Sequence, residues 1–420
     1  MFAMLKQRNF ALLFAGNAVS RIGSAFYNFA IGWYILTITA SPLAMGLYIA
    51  VGVLVELIIS PIAGVFIDRL NKVRILYITD FIRGIAVLIG AMFIFLLDVE
   101  IGLLAVLYGV TIILGINNAF FFPATQALLP EIVDDERLNR ANAFFSLINS
   151  VQAIIGVLLA GILYAILGIE WIFVINALTF IVSGISEMFI EAPENGVERD
   201  TTMAPNFKGD LIDGFRYIRD KTGLLAFMLC ALMLNFAAAP LFANALPYVY
   251  NLVLGREAID LSIANVTFSV GMLIGGLVIG ALGTKVIVKR AIRQGLAMTA
   301  TMMYIMGLLL YLVTSERIVY GLFVGLLLPT LFILAFSQIW LNVPFNTGIL
   351  RAVDANKRGR VLSILNTISA ALMPLSFALG GVVLEFIGLP FMVISVFIIS
   401  FIPLLIMLFG KQVTLLLEQM

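Results

Sequence analysis

Apolar runs of roughly 20 residues recur from one end of this chain to the other, and each is long enough to cross a bilayer as a helix. Their residues are apolar on every face rather than at alternate positions, which argues against a membrane barrel. The pattern predicts an all-α membrane protein with 12 transmembrane helices. These spans, numbered 1 to 12, fall at 9–38, 43–66, 75–97, 101–122, 141–167, 171–190, 223–249, 261–283, 291–313, 318–343, 361–386 and 389–410. The first run is too long for the apolar core of a signal peptide and lacks its cleavage site, so it is read as a span.

Composition agrees with this reading. The chain is 62% hydrophobic and 12% charged, against about a quarter charged in a soluble domain. The single Cys230 lies inside span 7, so no intrachain disulfide is expected. There is no His, which removes HExxH zinc sites, Ser-His-Asp triads and His proton relays. No metal or nucleic-acid signal appears. With both termini cytoplasmic, all but four of the 25 Lys and Arg fall in inner loops and ends. Arg256 and Arg317 then lie outside, while Arg21 and Arg83 lie within spans. The positive-inside rule selects that topology in a cell inner membrane. Trp33 and Trp171, near outer ends, fit an interfacial aromatic belt.

The one long polar interruption, "EAPENGVERDTTMAPNFKGD" (191–210), reads as a cytoplasmic linker. The expected organisation is an N-terminal six-helix bundle (1–190), a linker (191–222) and a C-terminal six-helix bundle (223–420). Within the linker, Leu211, Phe215 and Ile218 share one helical face opposite Asp213, Arg216 and Arg219. A short amphipathic helix on the inner membrane surface is expected there. The two bundles are related in sequence. Arg140, Gly161 and Gly168 match Arg360, Gly381 and Gly388 at an offset of 220, Pro123 matches Pro344 at 221, and Gly52, Gly64 and Arg74 match Gly271, Gly283 and Arg293 at 219. A parallel repeat of six helices is the construction of secondary transporters, with a midplane site between halves that rock.

The stretch Gly64-x-x-x-Asp68-Arg69-x-x-Lys72-x-Arg74 resembles the signature of the major facilitator superfamily between helices 2 and 3. "FFFPATQALLPEIVDDERLNRANAFFSLINS" (120–150), "SVGMLIGGLVIGALG" and "RGRVLSI" are similar to the efflux branch that holds macrolide exporters and the enterobactin exporter. Two positions depart from the family pattern. Asn71 stands where the signature has Gly, and Gly156-Val157 stands where the antiporter motif of helix 5 ends in Gly-Pro. The resemblance implies two pseudo-symmetric six-helix bundles, a cytoplasmic gate closed by Asp68, and a cavity lined by helices 1, 4, 7 and 10. Gly64 would let span 2 approach a neighbour closely, and Asp68 would meet the positive end of the helix beginning near Gly359. Arg69 and Arg74 complete the gate set. Asp80 and Arg83, one turn apart, either extend that gate network or form a local pair. For Lys72 a topogenic charge is explanation enough.

Polar stripes within apolar spans point toward partners or water. Asn17, Arg21, Ser24 and Asn28 share one face of span 1, Asn117 and Asn118 lie in span 4, Asn235 and Asn244 in span 7, and Gln338 and Asn342 in span 10. All except Asn244 are candidate substrate-binding residues. Asn142, Ser146 and Asn149 in span 5, and Asn176, Thr179, Ser183 and Glu187 in span 6, read better as packing contacts, with Glu187 near enough to the inner end to reach water. Arg21 and Glu56 are the deepest charges, and helical rise leaves their pairing open. No GxxxxGK[ST] nucleotide motif is present. A proton gradient is then the expected energy source, with no cofactor, and Glu56 is the candidate proton carrier or else a counter-charge to Arg21. The whole points to a monomeric, proton-coupled exporter of amphipathic drug-like compounds. Export of one natural product or lipid, and uptake by symport, are the alternatives. A membrane enzyme or receptor would need a catalytic cluster or an outer domain that these short outer loops do not provide.

Overall fold

The computed structural model describes residues 2–96, 100–191, 207–283, 286–354 and 357–418. Among them the fold is helical throughout, with no strand. In chain order the helices are α1 (Arg8–Thr39), α2 (Pro42–Ile67), α3 (Lys72–Leu96) and α4 (Glu100–Ile132). A helix starting at Asp135 then passes through a π-helical turn at Gln152–Gly156 and is broken at Gly168, which divides it into α5 (135–167) and α6 (169–188). There follow α7 (Phe207–Asp220), α8 (Leu224–Val253), α9 (Ala258–Leu282), α10 (Val288–Thr314), α11 (Tyr320–Ala352), α12 (Arg358–Phe386), α13 (Leu389–Phe409) and α14 (Lys411–Glu418). Ten described helices, counting α5 and α6 as one, are long and apolar enough to cross a bilayer. The helix α1 is not among them, because Asn17, Arg21 and Asn28 dilute its apolar surface.

The chain separates into two compact units, Met1–Thr202 with Arg256–Ile263, and Met203–Gly255 with Ala264–Met420. In the first unit α1 and α3 pack on α6, and α4 packs on both α2 and α3. The second unit repeats the scheme, with α8 and α10 on α13 and α11 on α10. The matched glycines sit at equivalent joints. A Cβ on Gly52 would stand 3.1 Å from Thr111 of α4, and one on Gly271 would overlap the Phe332 carbonyl of α11. Most telling is the matched pair Gly168 and Gly388. Gly168 (φ 80°, ψ 176°) separates α5 from α6, and Gly388 (φ 104°, ψ 168°) separates α12 from α13. Only glycine adopts that conformation without strain, at about 1–3 kcal/mol for another residue. Gly168→Ala and Gly388→Ala should therefore each lower the thermal midpoint of the purified protein, whereas Gly280→Ala, whose added Cβ meets open space, should not. Equal midpoints for all three would contradict the assignment.

Local chemistry explains the element ends. Ser41 caps α2 by accepting from the Ala44 N–H at 3.0 Å, with Pro42 at the first helical position. Asn71 caps α3 in the same way, its Oδ1 accepting from the Arg74 N–H at 3.1 Å. The departure from the signature glycine thus adds a helix cap. The helix α7 forms where expected, but its apolar face divides. Ile218 is buried in the core of the second unit and Gly214 lies against Ile364 of α12, while Phe215 is exposed. Tyr217 also accepts the Asp354 N–H at 3.1 Å. The helix is therefore docked on protein along one side rather than lying free. The Leu211 side chain and linker residues 192–206 fall outside what the structure describes. Trp171 is exposed, as a belt residue should be, but Trp33 is buried in the helix packing.

Candidate functional site

Within the second unit, α8, α10, α11 and α13 line a partly open cleft of about 500 Å³, solvent space included. On α8 the residues Ala231, Leu234, Asn235 and Ala238 recur at three- and four-residue spacing, which places them on one face. Gln338, Leu341, Asn342 and Phe345 do the same on α11. The structure therefore brings together three side chains singled out in the sequence, Asn235, Gln338 and Asn342. Their amides project from walls of Leu, Ala, Met and Phe. Phe345 is fixed by stacking on Phe227, with ring centroids 4.2 Å apart. Thr299 also lines the cleft, and its hydroxyl shares a buried hydrogen bond of 2.9 Å with that of Ser337. No charged residue lines this surface. Such a site favours apolar solutes with a few hydrogen-bonding groups, because each amide can donate or accept. Asn244 takes no part in it and is buried beside Gly380 of α12.

The first unit distributes its polar residues differently. Asn17 is fully buried and accepts from Arg21 Nε at 3.3 Å, so it does not present an open face. Arg21 Nη1 donates to Asn149 of α5 at 2.7 Å, and the guanidinium lies over the Phe122 ring. Asn149, read from sequence as packing, is thus the principal partner of Arg21. Ser24 donates to the Ser20 carbonyl, and Asn28 is exposed. Asn117 is buried and donates to the Ile113 carbonyl. Glu56 is half-buried and does not pair with Arg21.

At the α2–α3 turn, Asp68, Arg69 and Arg74 are exposed. A Cβ at Gly64 would meet open space, so the close approach expected there is not made in this structure. Lys72 does more than set topology, since it forms a 2.7 Å ion pair with Glu131 at the end of α4. Asp80 and Arg83 form the local pair rather than an extension toward Arg74. Arg83 also donates to Asn118 of α4 at 3.3 Å and lies between the rings of Phe121 and Phe180. Glu187 of α6 completes this cluster and is fully buried, not in contact with water. The sequence singles out Glu187 but places it within reach of water, because it lies close to the end of its apolar run; the structure corrects that placement.

Residues 13–376 match the profile of the Major Facilitator Superfamily. Among curated proteins, the chain is 26% identical over 389 residues to macrolide efflux protein A of Streptococcus pyogenes, covering 90% of each chain. It is 25% identical over 334 residues to a protein of the same name from Enterococcus faecalis, covering 77% of this chain and 96% of that one. Among solved structures, a bacterial homologue of the iron transporter ferroportin in an inward-facing state superposes with a TM-score of 0.75 at 15% identity, covering 96% of this chain and 98% of the other. The profile match, the repeated packing and the matched Gly168 and Gly388 breaks lead to one assignment: this multi-pass membrane protein belongs to the major facilitator superfamily.

Proposed function

We propose that this protein is a secondary active transporter that exports amphipathic, drug-like compounds by alternating access, driven by a proton gradient. The observation that carries the reading is the cleft of the second unit, where Asn235, Gln338, Asn342 and Thr299 interrupt a largely apolar, uncharged wall. Met303, Met407 and Phe345 in that wall are deformable or flat surfaces that suit solutes of varied shape. The similarity to proteins named for macrolide efflux supports the same class of cargo. Proton coupling follows from the missing nucleotide motif and from the acids placed within the spans, of which Glu56 is the one at mid-depth. The protein works as a monomer in the cytoplasmic membrane, with both termini inside.

A substrate screen in an efflux-deficient bacterial strain expressing this chain tests the proposal. Resistance should rise for several bulky amphipathic compounds, macrolides among them, and should collapse when the proton gradient is dissipated. Unchanged sensitivity across such a panel, with the protein present in the membrane, would contradict export of this class.

A further inference from the structure

Between α3 and α6 the first unit buries two acids against one base. Asp80 and Glu187 are fully buried and Arg83 is 3% exposed. Arg83 Nη2 donates to Asp80 Oδ1, and Phe121 and Phe180 cover the guanidinium with their centroids 3.9 and 4.7 Å away. Glu187 stands beside Asp80, Arg83 and Ser183. Yet Asp80 Oδ2 and both carboxylate oxygens of Glu187 have no hydrogen-bond partner. The other polar groups facing the cluster are few. Asn118 comes from α4 and the Ser183 hydroxyl from α6, while Gly16 is the α1 residue packed on Ser183. A further charge that Arg83 feels is Arg21 of α1, which is engaged by Asn17, Asn149 and the Phe122 ring.

Charge counting then decides what the cluster can be. With both acids ionised, one guanidinium faces two carboxylates, and three buried acceptor oxygens have only the Ser183 hydroxyl as a further donor within reach. Burying an uncompensated charge is strongly disfavoured. One proton on either carboxylate makes the cluster neutral and supplies the missing donor. We infer that Asp80 and Glu187 form a proton-binding site separate from Glu56, in which the two carboxylates share a single proton opposite Arg83 and exchange it during the transport cycle. The proton is taken from and returned to water, and only an O–H bond is made and broken. Arg83 is the positioning residue. It grips α4 through Asn118 and Phe121, two residues before Pro123, where the helix lacks one backbone hydrogen bond. When the proton leaves, the Glu187 carboxylate competes for Arg83 and loosens that grip.

The inference rests on the proton-coupled reading above, and its test separates the two. Infrared spectroscopy of the wild-type protein at neutral pH should show the carbonyl stretch of a protonated carboxylic acid, shifted in D2O. One and the same band should vanish in Asp80→Asn and in Glu187→Gln, because either change leaves a single acid paired with Arg83. It should persist in Glu56→Gln. In proteoliposomes Glu187→Gln should lose at least tenfold in pH-driven transport while substrate exchange without a gradient continues, and Glu187→Asp should restore part of the loss. Absence of the band in wild type would overturn the site without recourse to any variant. So would its survival in both single variants, or full pH-driven transport by Glu187→Gln. Wild-type protein that shows the band but no pH-driven transport would overturn the proton-coupled reading, and with it the exchange of this proton during transport.

Discussion

Arg83→Met should be among the most destabilising single substitutions in this protein. Removing one member of a buried, hydrogen-bonded charge cluster typically costs about 3–5 kcal/mol, because the remaining charge is left without compensation. Here the one negative charge that Asp80 and Glu187 share loses its counter-charge, and Asn118 loses its donor. The expected result is a large fall in the thermal midpoint of purified protein in detergent, accompanied by aggregation on size-exclusion chromatography. The triple variant Asp80→Asn, Arg83→Met, Glu187→Gln carries no charge in the cluster, and most of the loss should be recovered. A single Arg83→Met protein as stable as wild type would show that the cluster contributes nothing to the fold. A triple variant no better than the single would attribute the effect to lost packing on Phe121 and Phe180 instead.

The second large effect belongs to the cleft of the second unit. Ala238 lines it on the face of α8 that carries Asn235. Trp at this position would replace a methyl group by a bulky indole on the lining face of α8, which would obstruct the cleft between Asn235 and the facing side chains of α11. Ala238→Trp should cut export of every substrate at least tenfold and leave the thermal midpoint close to that of wild type. Gln338→Ala should act differently. It removes a hydrogen bond worth about 0.5–1.5 kcal/mol, so it should weaken some cargoes about two- to tenfold and leave purely apolar ones unaffected. Uniform export by Ala238→Trp would place the substrate path elsewhere.

Much of the fold was legible in the sequence, because uninterrupted apolar runs and a near-constant offset between matched residues state it directly. Gly168 and Gly388 could be paired on sequence alone, and they share one conformation available only to glycine. The rotational setting of each helix was harder to read. In a span that is apolar all round, helical periodicity tells which residues share a face but not whether that face meets protein, lipid or a cleft. Asn235, Gln338 and Asn342 come together, yet Asn17, on an equally regular stripe, is sealed in the packing. Glu187 shows the same limit at a helix end. Depth along the span suggests contact with water, but Gly184 lets α6 press against Asp80 of α3 and encloses the acid. Asn71 shows that a departure from a motif can hold its own local logic, since its side chain supplies the helix cap.

In the proposed function this chain moves amphipathic solutes by means of a proton gradient and nothing else. The most direct measurement uses wild-type protein in sealed proteoliposomes, with no nucleotide present and an imposed pH difference. Internal pH and a fluorescent amphipathic substrate are followed together. The expected result is substrate accumulation against its own gradient, proton flux in the opposite direction, and loss of both when an ionophore collapses the pH difference. Accumulation that is indifferent to the ionophore, or none until ATP is supplied, would contradict it.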